Sequence, residues 1–166
     1  MAPPFPQATL RPYLPADTPA LAAIFRASIA ILAEDDYGED QLAAWMAQAD
    51  EPAFVQNLSA NLTLVALVGT TPVGFASLKG ADQLHMLYVH PSVARHGVGS
   101  QLCDALERLA AARGAQKITG DFSDTARPLM EKRGYEAQRR NTIALGDVWF
   151  GNTTLTKSLA GAGKAP

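Results

Sequence analysis

The 166-residue chain has one cysteine, Cys103, and a lone thiol cannot close an internal disulfide. It has no basic block: 14 Lys and Arg against 16 Asp and Glu leave a net charge of −2. That balance argues against a nucleic-acid-binding regulator, whose affinity rests on phosphate neutralisation. The opening MAPPFPQATL lacks a basic n-region and an apolar run, so it does not read as a signal peptide. No segment is expected to approach the roughly 18 apolar residues of a membrane helix, and a cytoplasmic location is expected. In that setting the Asn-x-Ser/Thr triplets at Asn57, Asn61 and Asn152 carry no meaning. What remains is ordinary globular material, 48% hydrophobic and 18% charged, long enough for one real core.

Element signals then follow along the chain. ATLRPYL reads as a first strand, and PADTPALAAIFRASIAIL as a helix with Asp17 or Thr18 as cap and Pro19 near its first turn. Leu21, Ile24, Phe25, Ser28, Ile31 and Leu32 recur at helical spacing and predict its buried face. A polar loop and short helical pieces follow. LTLVALVG, TPVGFASLKG and DQLHMLYVH then read as strands, the first two as a hairpin through 69–72. GVGSQLCDALERLAAARGA is a helix with an apolar line of Val98, Leu102, Leu106 and Leu109, stopped by Gly114. A strand (QKITGDF), a short helix ending at Gly134, and two strands turning at Gly146–Asp147 complete the chain. With no internal repeat or interior linker, residues 1–166 are expected to form one mixed α/β domain, with loose tails at 1–7 and 160–166. The GAGK near the end is no phosphate loop, because no helix follows it.

The informative junction is LHMLYVHPSVARHGVGSQL (residues 84–102), where a strand hands over to a helix that starts on glycines. A helix N-terminus leaves about four N–H groups unpartnered at the positive end of its dipole, which suits a diphosphate. Gly97 and Gly99 permit close backbone approach, and Arg95 and Ser100 add a charge and a hydroxyl. The alternative is a plain strand–helix turn. A dinucleotide fingerprint fails because Leu102 stands where its third glycine belongs.

This stretch, followed by LERLAAARGAQKITGDFS and ARPLMEKRGY, resembles the GNAT superfamily of acetyl-CoA-dependent N-acetyltransferases. The resemblance implies a mostly antiparallel mixed sheet of six or seven strands, with strands four and five splayed and helices on both faces. It implies acetyl-CoA as cosubstrate and no metal. Pantetheine would lie between the splayed strands against Leu87, Tyr88 and Val89, and the diphosphate against Arg95, His96, Gly97, Val98, Gly99 and Ser100. The family loop has Gln or Arg where this chain has Ala94, with Arg95 next door. The amine attacks the thioester directly in this family, and the Leu87 N–H is the expected donor to the carbonyl oxygen.

A protonated amine must first lose a proton, so a base is useful. Simple alternation places Gln83, His85, Leu87 and Val89 on one side of the strand, which makes His85 the candidate base. A satisfied, partly buried histidine is the alternative. The arrangement LH-x-L-x-V-H is similar to arylalkylamine acetyltransferases. Where many family members carry a tyrosine acid this chain has Met130, which leaves Ser123 and Tyr37 as substitutes, or water. Ser123 is also a candidate cofactor contact. Tyr135 and Cys103 read as packing. Five acids between Glu34 and Asp40 either attract a cationic amine or form a solvated loop. Tyr37 and Trp45 are candidate walls of the acceptor pocket, though Trp45 serves equally as a core anchor. The expected partner is a small-molecule or protein amine, with a homodimer possible; a non-catalytic acyl-CoA-binding module is the alternative function.

Overall fold

Alternating apolar residues make the strands, and their two faces bury two separate cores. The computed structural model describes residues 7–159; apart from Gln7, the tails expected at 1–7 and 160–166 lie outside the described residues. Seven strands form one sheet: β1 (Thr9–Pro12), β2 (Leu62–Val68), β3 (Thr71–Lys79), β4 (Gln83–Val89), β5 (Lys117–Ser123), β6 (Glu136–Leu145) and β7 (Val148–Ser158). Their order is β1-β2-β3-β4-β5-β7-β6. All neighbours are antiparallel except β4 and β5. The fold class expected from the sequence is the one observed.

Five helices cover the sheet: α1 (Thr18–Leu32), α2 (Glu39–Met46), α3 (Pro52–Ala60), α4 (Val98–Ala112) and α5 (Arg127–Lys132). On one face, Leu21, Ile24, Phe25 and Ile29 of α1 meet Phe54 and Leu58 of α3 over Val65, Phe75 and Met86. On the other, Val98, Leu102 and Leu106 of α4 and Met130 of α5 cover Leu64, Ala76, Leu78, Ile118 and Leu155. Fully buried side chains such as Phe75, Leu21 and Leu102 each contribute about 1.5–3 kcal/mol by leaving water.

The first helix departs from expectation in three ways. Ile31 is 55% exposed while Ile29 is buried, so the apolar stripe is rotated to include Ile29. The Asp17 carboxylate does not cap the helix. It accepts two hydrogen bonds from Arg11 at 2.7 and 2.8 Å and one from the Leu14 N–H at 2.8 Å, fastening the preceding turn to β1. The eighteen residues Pro15–Leu32 also reach a mean hydropathy of 1.2, enough by length and composition to cross a membrane. Arg26, Ser28 and Asp17 break the apolar run that the sequence reading looked for. The stripe is packed against the sheet as a core helix.

The last two strands do not add in chain order. The chain passes from β5 through α5 to the outer edge as β6, then returns as β7 beside β5. The β6 sequence EAQRRNTIAL is exposed along most of its length, as an edge strand tolerates. Phe150 and Leu155 of β7 are buried and belong inside.

Candidate active site

The central feature is a divergence between β4 and β5. The two strands pair at a single register position, Gln83 with Thr119. Beyond it β4 stays on β3 as far as Val89 and Gly74, and β5 stays on β7 as far as Ser123 and Asn152. Gly120 sits where the strands part. A Cβ there would lie 2.7 Å from the Leu84 carbonyl oxygen and 2.6 Å from the Phe122 ring, so only glycine allows this approach. A cavity of about 460 Å³ opens through the gap, within the size range of small-molecule sites.

Which backbone groups of β4 face the gap follows from one hydrogen bond. The His90 N–H donates to the Val73 carbonyl of β3 at 2.8 Å. Backbone direction alternates along a strand, so Tyr88 also turns its N–H and C=O toward β3, opposite Phe75. Leu87 and Val89 turn theirs toward β5, where no strand accepts them. Of the three expected backbone partners, Leu87 and Val89 are therefore available. Tyr88 instead brings its ring to the cavity wall, where its hydroxyl accepts a hydrogen bond from Trp45 Nε1 at 3.2 Å. Burial pushes that phenol up to about 12, so it keeps its proton.

His85 lines the same cavity, but simple alternation does not put it there. Ser77 faces Met86 while Leu78 faces Leu84, so His85 is an extra residue, a β-bulge. Leu84 and Leu87 consequently share the α4 core although three residues apart, while Met86 and Tyr88 belong to the α1 core. The expectation that His85 and Leu87 share a face by parity is corrected: the bulge re-aims His85. Its Nδ1 is buried without a hydrogen-bond partner in the described residues. Burial, with Lys79 adding repulsion, lowers its pKa below the ordinary histidine value. The imidazole is neutral at pH 7 and able to accept a proton.

At the far end of β4 the chain makes a turn of 3-10 helix (Pro91–Val93) and enters α4 through Gly97. Gly97 has φ +84°, and a Cβ there would meet nothing within 4 Å. The position needs glycine for its conformation and has open space before it. Gln101 N–H bonds the Gly97 carbonyl at 2.9 Å, leaving the Val98, Gly99 and Ser100 N–H groups without intrahelical acceptors. Gly99 differs from expectation: its missing side chain faces Leu129 at 3.4 Å and Val89 at 3.7 Å, so it permits close packing inside rather than approach from outside. Val98 is buried in the α4 core, and Arg95 (φ +65°) and His96 are exposed beside the helix start.

The other expected residues separate into cavity and framework. Ser123 and Trp45 line the cavity; Ser123 Oγ also accepts the Ala126 N–H at 3.1 Å. Tyr37 does not line it. Its hydroxyl donates to the Gly151 carbonyl at 2.7 Å and accepts from the Asp124 N–H at 2.8 Å, while its ring stacks on Phe150. Burial pushes this phenol up to about 12, a poor match for an acid at neutral pH. Met130 is fully buried, as is Tyr135, whose hydroxyl donates to Glu107 at 2.9 Å. Cys103 is buried, and that burial pushes its thiol up to about 12, so it stays protonated. Glu34, Asp35 and Asp36 are exposed and do not line this cavity. Asp36 is held by the Thr125 hydroxyl at 2.7 Å.

Sequence reasoning missed Asp121. It lies on β5 two residues past Thr119, as His85 lies two past Gln83, and it lines the cavity. The sequence signal was slight: Asp121 is exposed and shares its parity with Lys117, Thr119 and Ser123, opposite the buried Ile118, Gly120 and Phe122. No cluster of three metal-ligating side chains occurs among the described residues.

Residues 33–150 match the family model of the acetyltransferase (GNAT) domain. The uncharacterized N-acetyltransferase YafP of Escherichia coli strain K12 is 32% identical over 143 residues, 86% of this chain and 91% of its own. A GCN5-related N-acetyltransferase from Rhodopseudomonas palustris, whose name also carries "aminotransferase, class-II", shares 52% identity. It superposes with a TM-score of 0.89 over 92% of this chain and 96% of its own. The PaiA N-acetyltransferase of Thermoplasma acidophilum, solved with coenzyme A, shares the fold at 16% identity, with a TM-score of 0.75 over 92% of this chain and 99% of its own.

Proposed function

The chain belongs to the GNAT acetyltransferase family, and from that premise we propose that it moves the acetyl group of acetyl-CoA directly to a primary amine, with His85 as base. The observation that carries this reading is the parting of β4 from β5 after one register pair. It frees the Leu87 and Val89 backbone groups along a cavity that also holds His85.

The residues fit the cosubstrate. The open space before Gly97 and the unpartnered N–H groups of Val98, Gly99 and Ser100 suit a diphosphate at the helix dipole, with Arg95 and His96 exposed beside them. The gap-facing groups of Leu87 and Val89 suit the amides of pantetheine, and Ser123 lines the same gap. Acetyl-CoA supplies an acetyl thioester, whose C–S bond breaks as the amine N–C bond forms. The Leu87 N–H faces the developing negative charge on the carbonyl oxygen. His85, held neutral by burial and Lys79, takes the amine proton. With Met130 fully buried and Tyr37 held in the framework, Ser123, which lines the cavity and only accepts a bond from the Ala126 N–H, or water is the proton source for the departing thiolate. A thiol of pKa about 8.5 leaves without much help.

Among the described residues no lysine lines the cavity to carry a Schiff base, so nothing there supports the class-II aminotransferase part of the R. palustris name. The single sheet joining all seven strands supports a single-domain reading, and dependence on acetyl-CoA supports a cytoplasmic one. The test is thiol release from acetyl-CoA across an amine panel, beside calorimetric titration of acetyl-CoA. Saturable binding with amine-dependent thiol release is expected. Tight binding without turnover on any amine would overturn the reading.

A further inference from the structure

We propose that Asn152 is a specificity-determining residue for the acceptor: it presents a hydrogen-bond donor of fixed sign to an uncharged carbonyl oxygen carried by the amine. The inference rests on the acetyl-transfer reading and deepens it on one wall of the same cavity.

The direction of a polar relay across β5, β7 and β6 carries the argument. At one end the Asp121 carboxylate can only accept, and Thr154 Oγ1 donates to it. Thr154 therefore has only lone pairs to offer Asn141. Asn141 Nδ2 donates to Thr154 Oγ1 at 2.9 Å and to Asn152 Oδ1 at 3.0 Å. At the other end the Arg139 guanidinium can only donate, and its Nε bonds Asn141 Oδ1 at 3.0 Å. Turning either amide over would set donor against donor or acceptor against acceptor. The two charged ends thus fix the sign of every group between them, and Asn152 is left with its carbonyl occupied and its amide nitrogen free.

That nitrogen belongs to the cavity. Asn152 is only 9% exposed, and it lines the cavity opposite Ser123 of β5. Among the described residues its Nδ2 donates to no partner, and it is not one of the atoms sealed inside the protein. A ligand that covers this donor with carbon leaves it desolvated and unpaired, whereas one that brings an oxygen satisfies it.

The face of β7 decides which ligand that is. Phe150 packs with Ala33 and Tyr37 at the end of α1, and Leu155 packs in the α4 core. Alternation puts Asn152 on the Phe150 side, across the sheet from the helix whose N-terminus suits the diphosphate. The oxygen at Asn152 is then the acceptor's. Ser28, Gln48 and Asn57 add polar groups to the same lining, so the wall is not reserved for an apolar body. Charge narrows the class further. No Arg or Lys lines the cavity and the Asp121 carboxylate does, so a ligand carboxylate finds no cation there, and a neutral amide or ketone carbonyl fits.

The test uses two pairs of amines matched in shape, one of each pair carrying a primary amide and the other an isopropyl group in its place. These are glycinamide with isobutylamine, and phenylalaninamide with 3-methyl-1-phenylbutan-2-amine. Asn152→Asp keeps an oxygen to accept from Asn141 and turns the donor into an acceptor. The readout is the ratio of kcat/KM within each pair, compared between proteins, which cancels both the added charge and the differing basicity of the amines. In Asn152→Asp the ratio of amide to alkyl should fall by about 10- to 100-fold. Asn141→Leu leaves the cavity wall intact but frees Asn152 to turn over, and should lower the ratio by about 2- to 10-fold. The acetyl-CoA dissociation constant should not change in either variant. An unchanged ratio in either one overturns the inference, as does weakened acetyl-CoA binding without a change of ratio, since the oxygen would then be the cosubstrate's. These results leave the acetyl-transfer reading standing. Thiol release that needs no amine overturns both.

Discussion

Gly97 offers a substitution in which backbone strain and ligand contact can be measured separately. Its φ of +84° is costly for any residue with a Cβ, and a Cβ built there meets nothing within 4 Å. Gly97→Ala therefore loses no packing and incurs only the left-handed penalty of about 1–2 kcal/mol, read as a lower urea midpoint at unchanged slope. Asparagine tolerates this region far better, so Gly97→Asn should recover most of that stability. Both side chains, however, project into the open space before the α4 N-terminus. If the diphosphate of acetyl-CoA occupies that space, each variant forfeits charge-assisted hydrogen bonds there, about 1.5–3 kcal/mol. That corresponds to roughly a 10- to 150-fold weaker dissociation constant. Denaturation and calorimetric titration of the same three proteins should therefore diverge, with Asn restoring stability but not affinity. If Gly97→Asn restores both, the glycine serves only the turn, and the cradle assignment is wrong.

Two further predictions separate framework from chemistry. Tyr37→Phe leaves the Gly151 carbonyl and the Asp124 N–H without their shared partner. It should cost about 1–3 kcal/mol of stability by chemical denaturation, while kcat at saturating amine stays within about twofold; a large fall in kcat at intact stability would make Tyr37 catalytic. Asp17 has its pKa lowered, chiefly by the Arg11 hydrogen bonds, so its stabilising contribution is present above the unfolded carboxylate value near 3.9 and lost as pH falls through the folded value. Asp17→Asn should lower Tm at pH 7 and flatten its decline on acidification below about pH 4; an unaltered acid limb in the melting profile would contradict the assignment.

The elements were legible in the sequence where one local rule acts alone. The hairpin of β2 and β3, the Gly97 start of α4 and its line through Val98, Leu102 and Leu106 all follow from turn chemistry and periodicity. Features that depend on a neighbour were hidden. The bulge at His85 exists because β3 and β4 pair out of step between Ser77 and Leu78, and nothing in QLHMLYV alone reveals a missing partner. The return of β7 into the sheet centre depends on which strand β5 accepts. Asp121 became a candidate only when the divergence of β4 and β5 put it on a cavity wall. Tyr37 shows the converse: its ring does meet Trp45, 5.6 Å away, but it lies in the bend before α2 and its hydroxyl is turned into the framework. The acidic run near Glu34 was conspicuous in sequence and stands outside the cavity.

The most direct test of the account is the pH profile of acetyl transfer for the wild type and His85→Ala. The wild type should show an acidic limb in kcat/KM below the ordinary histidine value of about 6.5, because burial and Lys79 lower the folded pKa and the neutral ring is the active form. His85→Ala should lose roughly 10²- to 10⁴-fold at neutral pH, with acetyl-CoA affinity unchanged, and regain rate as rising pH deprotonates the amine in solution. A variant that keeps both the height and the acidic limb of the wild-type profile would contradict the assignment of His85 as the base.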